Sequence, residues 1–198
     1  MNRIIYITED IRSTSGDHQR EASLIRRVFD DINYLNLLGK DPIHVFIDTD
    51  GGNLKTALSI FDILRSSKAP IYTYALSEVS SAGTVIYISG EKRYAFKHSQ
   101  FMTHESSLSV GGSKRDFEAT AKQCLEQNGK VFNLFKSRCK MSKKRYMEMH
   151  EVSTYLWANK AKQYNIVTDI ISKLPSSVIS GAMEYALEPI ALEVNSAK

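Results

Sequence analysis

Apolar residues recur along this chain in two alternating rhythms, one of strands and one of helices. Arg3–Thr8 is a short β-rich run, and the polar, Gly-containing residues 12–18 that follow predict a loop. From Gln19 to Leu38, Ile25, Val28, Phe29 and Ile32 return at helical spacing; Gly39 and then Asp41-Pro42 end that helix. Ile43–Ile47 reads as a buried strand. Strand, helix, strand in this order predicts a βαβ unit, hence a parallel sheet with right-handed crossovers. Leu54, Ala57, Leu58, Phe61 and Leu64 mark a second amphipathic helix, and Ile71–Leu76 a further strand. Thr84–Ile88 is an apolar run after a cluster of small residues. Arg93–Phe96 is a short strand, and His98–His104 alternates, so that His98, Gln100, Met102 and His104 share one face.

Beyond this point helices dominate. Ser113-Lys114-Arg115-Asp116 has the form of a capping box and opens a helix over residues 114–139. Phe117, Ala121, Cys124, Val131 and Phe135 form its stripe, with Gly129 as a weak point where it bends. The stripe suits packing on its own domain or on another subunit. Ser142–His150 predicts a short helix, Thr154–Leu156 an extended piece, Ala158–Tyr164 a helix and Ile166–Ile171 the last strand. The division expected is a domain over residues 1–172 and a weakly docked or flexible tail over 173–198, with one helical turn near Met183–Leu187.

Composition narrows the class. A chain of 198 residues, 42% of them hydrophobic, supplies one full core. No apolar run approaches the roughly 18–20 residues needed to span a bilayer. Glu9 and Asp10 follow the first strand too closely for a signal peptide. Cys124 and Cys139 fall in one helix; at about 1.5 Å rise per residue they lie roughly 22 Å apart, too far to bridge. A reduced, cytoplasmic protein is expected. The formal charge is +4, with Lys136, Arg138, Lys140, Lys143, Lys144 and Arg145 close together. No nucleic-acid motif accompanies that run, which reads as a solvated helix face. No Cys/His cluster has metal-ligand spacing, so neither metal nor cofactor is expected.

Three short stretches carry chemistry. Glu78-Val79-Ser80-Ser81-Ala82-Gly83-Thr84 joins a strand to an apolar helix, and a serine on such a turn faces free N–H groups. It can cap the helix, or it can serve as a nucleophile whose attack creates a negative oxygen. Asp48-Thr49-Asp50-Gly51-Gly52-Asn53 leaves a strand at its carboxyl end, the edge where α/β sheets bind ligands. Neither a Walker nor a dinucleotide loop is present. His104 stands at a strand end beside a loop of small residues, a place suited to a general base near neutral pH.

In this order the features resemble the proteolytic subunit of the Clp protease, within the Clp/crotonase superfamily, from about Ile5 to Ile171. Gly51-Gly52 resembles the family's Gly-Gly turn, Ser80-Ser81-Ala82-Gly83 its Ala-Ser-Met-Gly stretch, and Met102-Thr103-His104 its Met-Ile-His segment. The resemblance implies an α/β fold of repeated βαβ units in a spiral, with a mostly parallel sheet and a protruding handle helix, here residues 114–139. It implies a serine-type endopeptidase acting on peptides or unfolded proteins inside a homo-oligomer of one ring or two stacked rings. Ser81 would be the nucleophile, His104 the base, and the N–H groups of Gly52 and Ala82 the oxyanion hole. The family's triad Asp precedes a Phe-Leu-Ser-Ala segment that resembles Tyr155-Leu156-Trp157-Ala158, and counting back places Ser153 there. Glu151 stands two residues away. Three cases stay open: an enzyme using Glu151, a slower Ser-His-Ser arrangement, or a degenerate or resting subunit with a structural or regulatory role. Family members carry a pore segment before the first strand that docks a hexameric unfoldase ATPase. Here that strand begins close to Met1, so docking by that route is not expected.

Two other chemistries share the superfamily's fold. Crotonase-type work on acyl-CoA thioesters usually relies on carboxylates, which a Ser and His pair does not supply. A Ser-Lys dyad would need Lys92 or Lys97 buried, and nothing in the sequence buries either.

Overall fold

In the computed structural model of the chain, which describes residues 3–13, 23–106, 111–176 and 178, the apolar runs assemble into one seven-stranded sheet. β1 (Ile4–Ile7), β2 (Ile43–Thr49), β3 (Ile71–Ser80), β4 (Lys92–Phe96) and β7 (Asp169–Ile171) lie side by side in that order. β5 (Gln100–Thr103) pairs with β3 and with β6 (Thr154–Trp157). All pairings are parallel except β5–β6. The helices are α1 (Leu24–Leu38), α2 (Leu54–Arg65), α3 (Ala82–Tyr87), α4 (Lys114–Cys139), α5 (Lys143–His150) and α6 (Ala158–Gln163). This is the mostly parallel α/β architecture that the βαβ pattern predicts.

β3 is ten residues long and changes partner halfway. Tyr72–Ala75 pair with Lys92–Ala95 of β4, and Glu78–Ser80 pair with Gln100–Met102 of β5. On its other side Val79 pairs with Thr49 at the end of β2. The carboxyl ends of β2, β3 and β5 therefore meet at one edge. Glu78-Val79-Ser80, expected as part of a turn, is strand because β5 gives its backbone a hydrogen-bonding partner.

β2 is buried on both faces, as a central parallel strand requires. One face of the sheet packs Ile5, Ile7, Val45 and Ile47 with the buried stripes of α1 and α2. On the other face the register aligns Tyr6, Phe46, Tyr74 and Tyr94 in one row across four strands. Their rings stack at 5.6, 4.7 and 5.0 Å between successive centroids. Val178 is buried in that aromatic cluster, so the chain returns to the sheet after Pro175. The remainder of the expected tail, with the helical turn near Met183–Leu187, lies outside the described residues.

Single positions depart from the stripes drawn on the sequence. α1 buries Leu24, Val28, Ile32 and Leu35, and Phe29, one position off that line, is exposed. Phe117 is exposed too, because α4 begins to be buried only at Cys124. The last strand is shorter than expected: Ile166 and Val167 donate their N–H groups back to Ala161 at the end of α6. Arg138 is not a solvated charge but donates to the carbonyls of Ile88, Ser89 and Gly90, just past the carboxyl end of α3, where a cation is favoured. Among the described residues no helix is long and apolar enough to cross a membrane.

α4 runs unbroken for 26 residues through Gly129, capped by reciprocal bonds between Ser113 and Asp116. A methyl group at Gly129 would meet nothing within 4 Å. Gly129→Ala should therefore raise stability by about 0.5–1 kcal/mol through helix propensity alone. Urea titration of the two proteins would read it.

Candidate active site

β3 ends at Ser80, and its pairing with Met102 carries the backbone one step further: the Ser81 N–H donates to the Met102 carbonyl at 2.7 Å. Ser81 is held there at φ +52°, ψ −118°, a conformation that side-chain-bearing residues rarely adopt. It occupies the N-cap position of α3, yet its hydroxyl makes no capping bond. Instead Oγ lies 2.7 Å from Nε2 of His104, the first residue after β5. Of the two roles open to this serine, the geometry supports the second. His104 reaches it because β3 and β5 are parallel neighbours and end together.

The Gly-Gly turn closes the other side. Gly51 has φ +99°, and a Cβ there would lie 2.6 Å from the Ser80 carbonyl oxygen and 2.8 Å from Cβ of Ser81. Only glycine lets the β2–α2 turn come so near the serine. Ile11 anchors the turn in a parallel bridge: its N–H donates to Gly51, and its carbonyl accepts from Asn53. Those bonds use the residues flanking Gly52, whose own N–H then points away from Ile11. Among the described residues neither the Gly52 nor the Ala82 N–H is donated to a protein acceptor. Both residues line a cavity of about 840 Å³ that also holds Ser81 and His104. That size lies within the ~300–1,000 Å³ range typical of ligand sites.

The two residues expected opposite His104 are not joined to it. Glu151 caps α5 and Ser153 follows in a turn; both are exposed, and neither hydrogen-bonds the imidazole. The reason is local. The Thr103 hydroxyl donates to the Met149 carbonyl at 2.9 Å, and the Glu105 N–H donates to the His150 carbonyl at 2.9 Å. The ladder resumes at Thr103 opposite Thr154. Residues 151–153 loop outward between these attachments. His150, on the inner side, lines the cavity and is 3% exposed.

Ile11, Thr49 and His150 are parts of this site to which the sequence pattern gave no role. Thr49 fixes the Gly-Gly turn by donating to the Glu9 carbonyl and accepting from the Gly51 N–H. Ile11 offered one signal, an isolated apolar residue inside a polar stretch. His150 offered none, since it ends a short helix in which charged and apolar residues are mixed.

With its mostly parallel sheet, two tight turns and a Ser–His contact at one carboxyl edge, the chain is an α/β protein of the Clp-protease fold. Residues 2–174 match the family described as Clp protease, and the chain belongs to that family. It is 28% identical over 137 residues to "ATP-dependent Clp protease proteolytic subunit 1" of Rhodopirellula baltica, covering 68% of this chain and 60% of that relative. Over 134 residues it is 26% identical to "ATP-dependent Clp protease proteolytic subunit 2" of Treponema pallidum, covering 67% of each. The match thus spans under two thirds of the first relative and about two thirds of the second. The fold is similar to that of "ClpP1 N165D mutant from Listeria monocytogenes", with a TM-score of 0.76 at 23% identity, covering 89% of this chain and 94% of that one.

Two measurements test this description of the site. Ser81→Gly should be more stable than Ser81→Ala by about 1 kcal/mol, because glycine relieves the positive φ; chemical denaturation of both variants checks it. The second concerns His150, whose burial pushes its pKa down to about 4; the Tyr146 carbonyl opposes that shift and His104 adds slightly to it. The unfolded chain takes up this proton near pH 6.5 and the folded chain only near 4. Its contribution is thus complete above pH 6.5 and is lost as pH falls toward 4, up to about 3 kcal/mol. His150→Phe should show a shallower loss of stability over that window.

Proposed function

We propose that this chain is a serine-type endopeptidase whose nucleophile is Ser81 and whose general base is His104. The observation that carries the reading is the 2.7 Å contact between Ser81 Oγ and His104 Nε2, made by a serine that leaves its own helix uncapped. Nε2 takes the hydroxyl proton as Oγ attacks a peptide carbonyl. The negative oxygen that develops is received by the N–H groups of Gly52 and Ala82. Nε2 then gives its proton to the leaving amine. Water hydrolyses the acyl-enzyme with His104 again as base.

Membership of the Clp protease family supports peptide bonds as the substrate class. It also supports a homo-oligomer of rings, in which peptides or unfolded chains reach an enclosed site. Leu125 on α4 and Leu37 on α1 are 72% and 85% exposed, apolar surface of the kind that subunit packing covers. The relatives' names carry ATP dependence, and this chain shows no phosphate-binding loop, so a separate ATPase partner fits the reading. Both cysteines are buried and free, which suits a reducing cytoplasm. Residues 1–172 are assigned as the peptidase domain, since the sheet ends at Ile171. Of the tail, 173–198, the buried Val178 supports docking on the aromatic face.

A second reading has one observation in its favour. Among the described residues no carboxylate hydrogen-bonds His104, which suits a degenerate or resting subunit. Incubation with a fluorophosphonate and intact-mass analysis separates the two. The wild type should gain one adduct, Ser81→Ala none, and His104→Ala should label at least about 10²-fold more slowly. A folded wild type that gains no adduct would select the degenerate subunit.

A further inference from the structure

The cavity that holds Ser81 is walled on one side by α4 and α5, and the proposed chemistry gives that wall no role. Val131 and Phe135 of α4 and Tyr146 and His150 of α5 line it, and all four are buried. Val85, one helical turn after Ser81 on α3, lines the same cavity. The hydroxyls that this region supplies are already committed. Thr103 donates to the Met149 carbonyl at 2.9 Å, and Tyr146 to the Asn128 carbonyl at 3.5 Å.

His150 is the exception. Its Nδ1 lies 2.9 Å from the Tyr146 carbonyl, which can only accept, so the hydrogen of the neutral ring sits on Nδ1 and Nε2 carries a lone pair. Burial pushes its pKa down to about 4, so the ring is neutral at ordinary pH. It stacks on Tyr146 at 3.8 Å between centroids and meets Phe135 edge-on at 5.2 Å, which fixes its plane. Among the described residues Nε2 has no hydrogen-bond partner. Nor is it sealed inside the protein: it opens on the cavity that the residue lines. A rigid acceptor on an otherwise apolar wall is complementary to an uncharged donor carried on an apolar stem. An apolar side chain there would leave the lone pair unmet, and a carboxylate would bring a second acceptor.

We propose that His150 is a specificity-determining residue: its Nε2 accepts a hydrogen bond from the side chain of the substrate residue whose carbonyl Ser81 attacks, so that glutamine and asparagine are preferred there to apolar side chains of the same size. This rests on the Ser81–His104 reading. His150 takes no part in making or breaking bonds. It shares the enclosure with the reacting pair, because the Glu105 N–H, one residue past His104, donates to the His150 carbonyl at 2.9 Å.

The test uses the full-length protein and peptidyl diphenyl phosphonates, which carry the side chain in question on the carbon next to phosphorus. Ser81 Oγ bonds to phosphorus, phenol leaves with the hydroxyl proton, and intact mass follows the adduct. Two pairs are matched in size, glutamine with methionine and asparagine with leucine. In the wild type the carboxamide member of at least one pair should label roughly tenfold to a hundredfold faster, the usual cost of leaving a buried acceptor unmet. His150→Phe keeps a ring against Tyr146 and Phe135 but removes the acceptor, and should reverse that order. A ratio of two probes within one protein is insensitive to lost stability or to a slower Ser–His pair. Methionine and leucine ahead in the wild type overturns the proposal, and needs no variant should His150→Phe fail to fold. A carboxamide preference that persists in His150→Phe overturns it as well. So does a wild type that labels with the fluorophosphonate but with no peptidyl probe. Each of these leaves the Ser–His reading standing, whereas a wild type that labels with neither kind of probe overturns both together.

Discussion

The site depends on β3 changing partners. Five residues into the strand its neighbour β4 gives out, and β5 takes up the hydrogen bonding from Glu78 onward. Without that second partner the chain would turn before Ser80, and Ser81 would stand one turn short of His104. With it, the Ser81 N–H is committed to the Met102 carbonyl. Backbone bonding on one side and the start of α3 on the other leave Ser81 a single conformation, at positive φ. The cost of that conformation, of order 1–3 kcal/mol, is borne by the sheet. What the strain achieves is direction: the hydroxyl cannot fold back to cap α3 and faces the imidazole.

A second constraint follows from the first. On the proposed reading a serine held to the sheet edge takes its oxyanion donors from backbone close by, and the turn after β2 lies against it. Gly51 lets that turn lie within van der Waals contact of Ser80 and Ser81, where any side chain would collide. Ile11 then sets the rotation of the turn. By bonding to Gly51 and Asn53 it leaves the Gly52 N–H facing away from it, and Gly52 lines the cavity. On that reading the donors are fixed before any ligand arrives, and a preorganised dipole is worth more to a developing charge than one that must rotate into place.

How much of this the sequence disclosed depends on the range of the interactions. The βαβ order, the bounds of α4 and the Ser113–Asp116 capping box are local, set by spacing along a few residues, and were legible. So were Ser81, His104 and the Gly-Gly turn, because each sits where a strand gives way to something else. Phe29 and Phe117 were drawn into buried stripes because helical periodicity tolerates an error of one position, and only packing decides which side is covered. Arg138 was read as solvated because nothing local shows that the carbonyls after α3 lie within its reach. Ile11 acts through backbone atoms, so its side chain signals only that it is buried and not what it bonds to. The stretch around Ser153 shows a different limit. Counting along the chain assigns a position to the triad, but the position faces the site only if the turn before β6 keeps its shape.

That turn is where chain position and spatial position part. Two hydrogen bonds draw residues 149 and 150 against the segment that carries His104, and residues 151–153 are pushed into solvent. A carboxylate on an exposed turn is screened and conformationally free, so even Glu151 would hold an imidazole weakly. Among the described residues the His104 ring is held by Ser81 at Nε2, and the bonds to Met149 and His150 fix the segment that carries it. The geometry of the pair therefore comes from the edge of the sheet, where β3 and β5 end together, and not from an anion behind the imidazole.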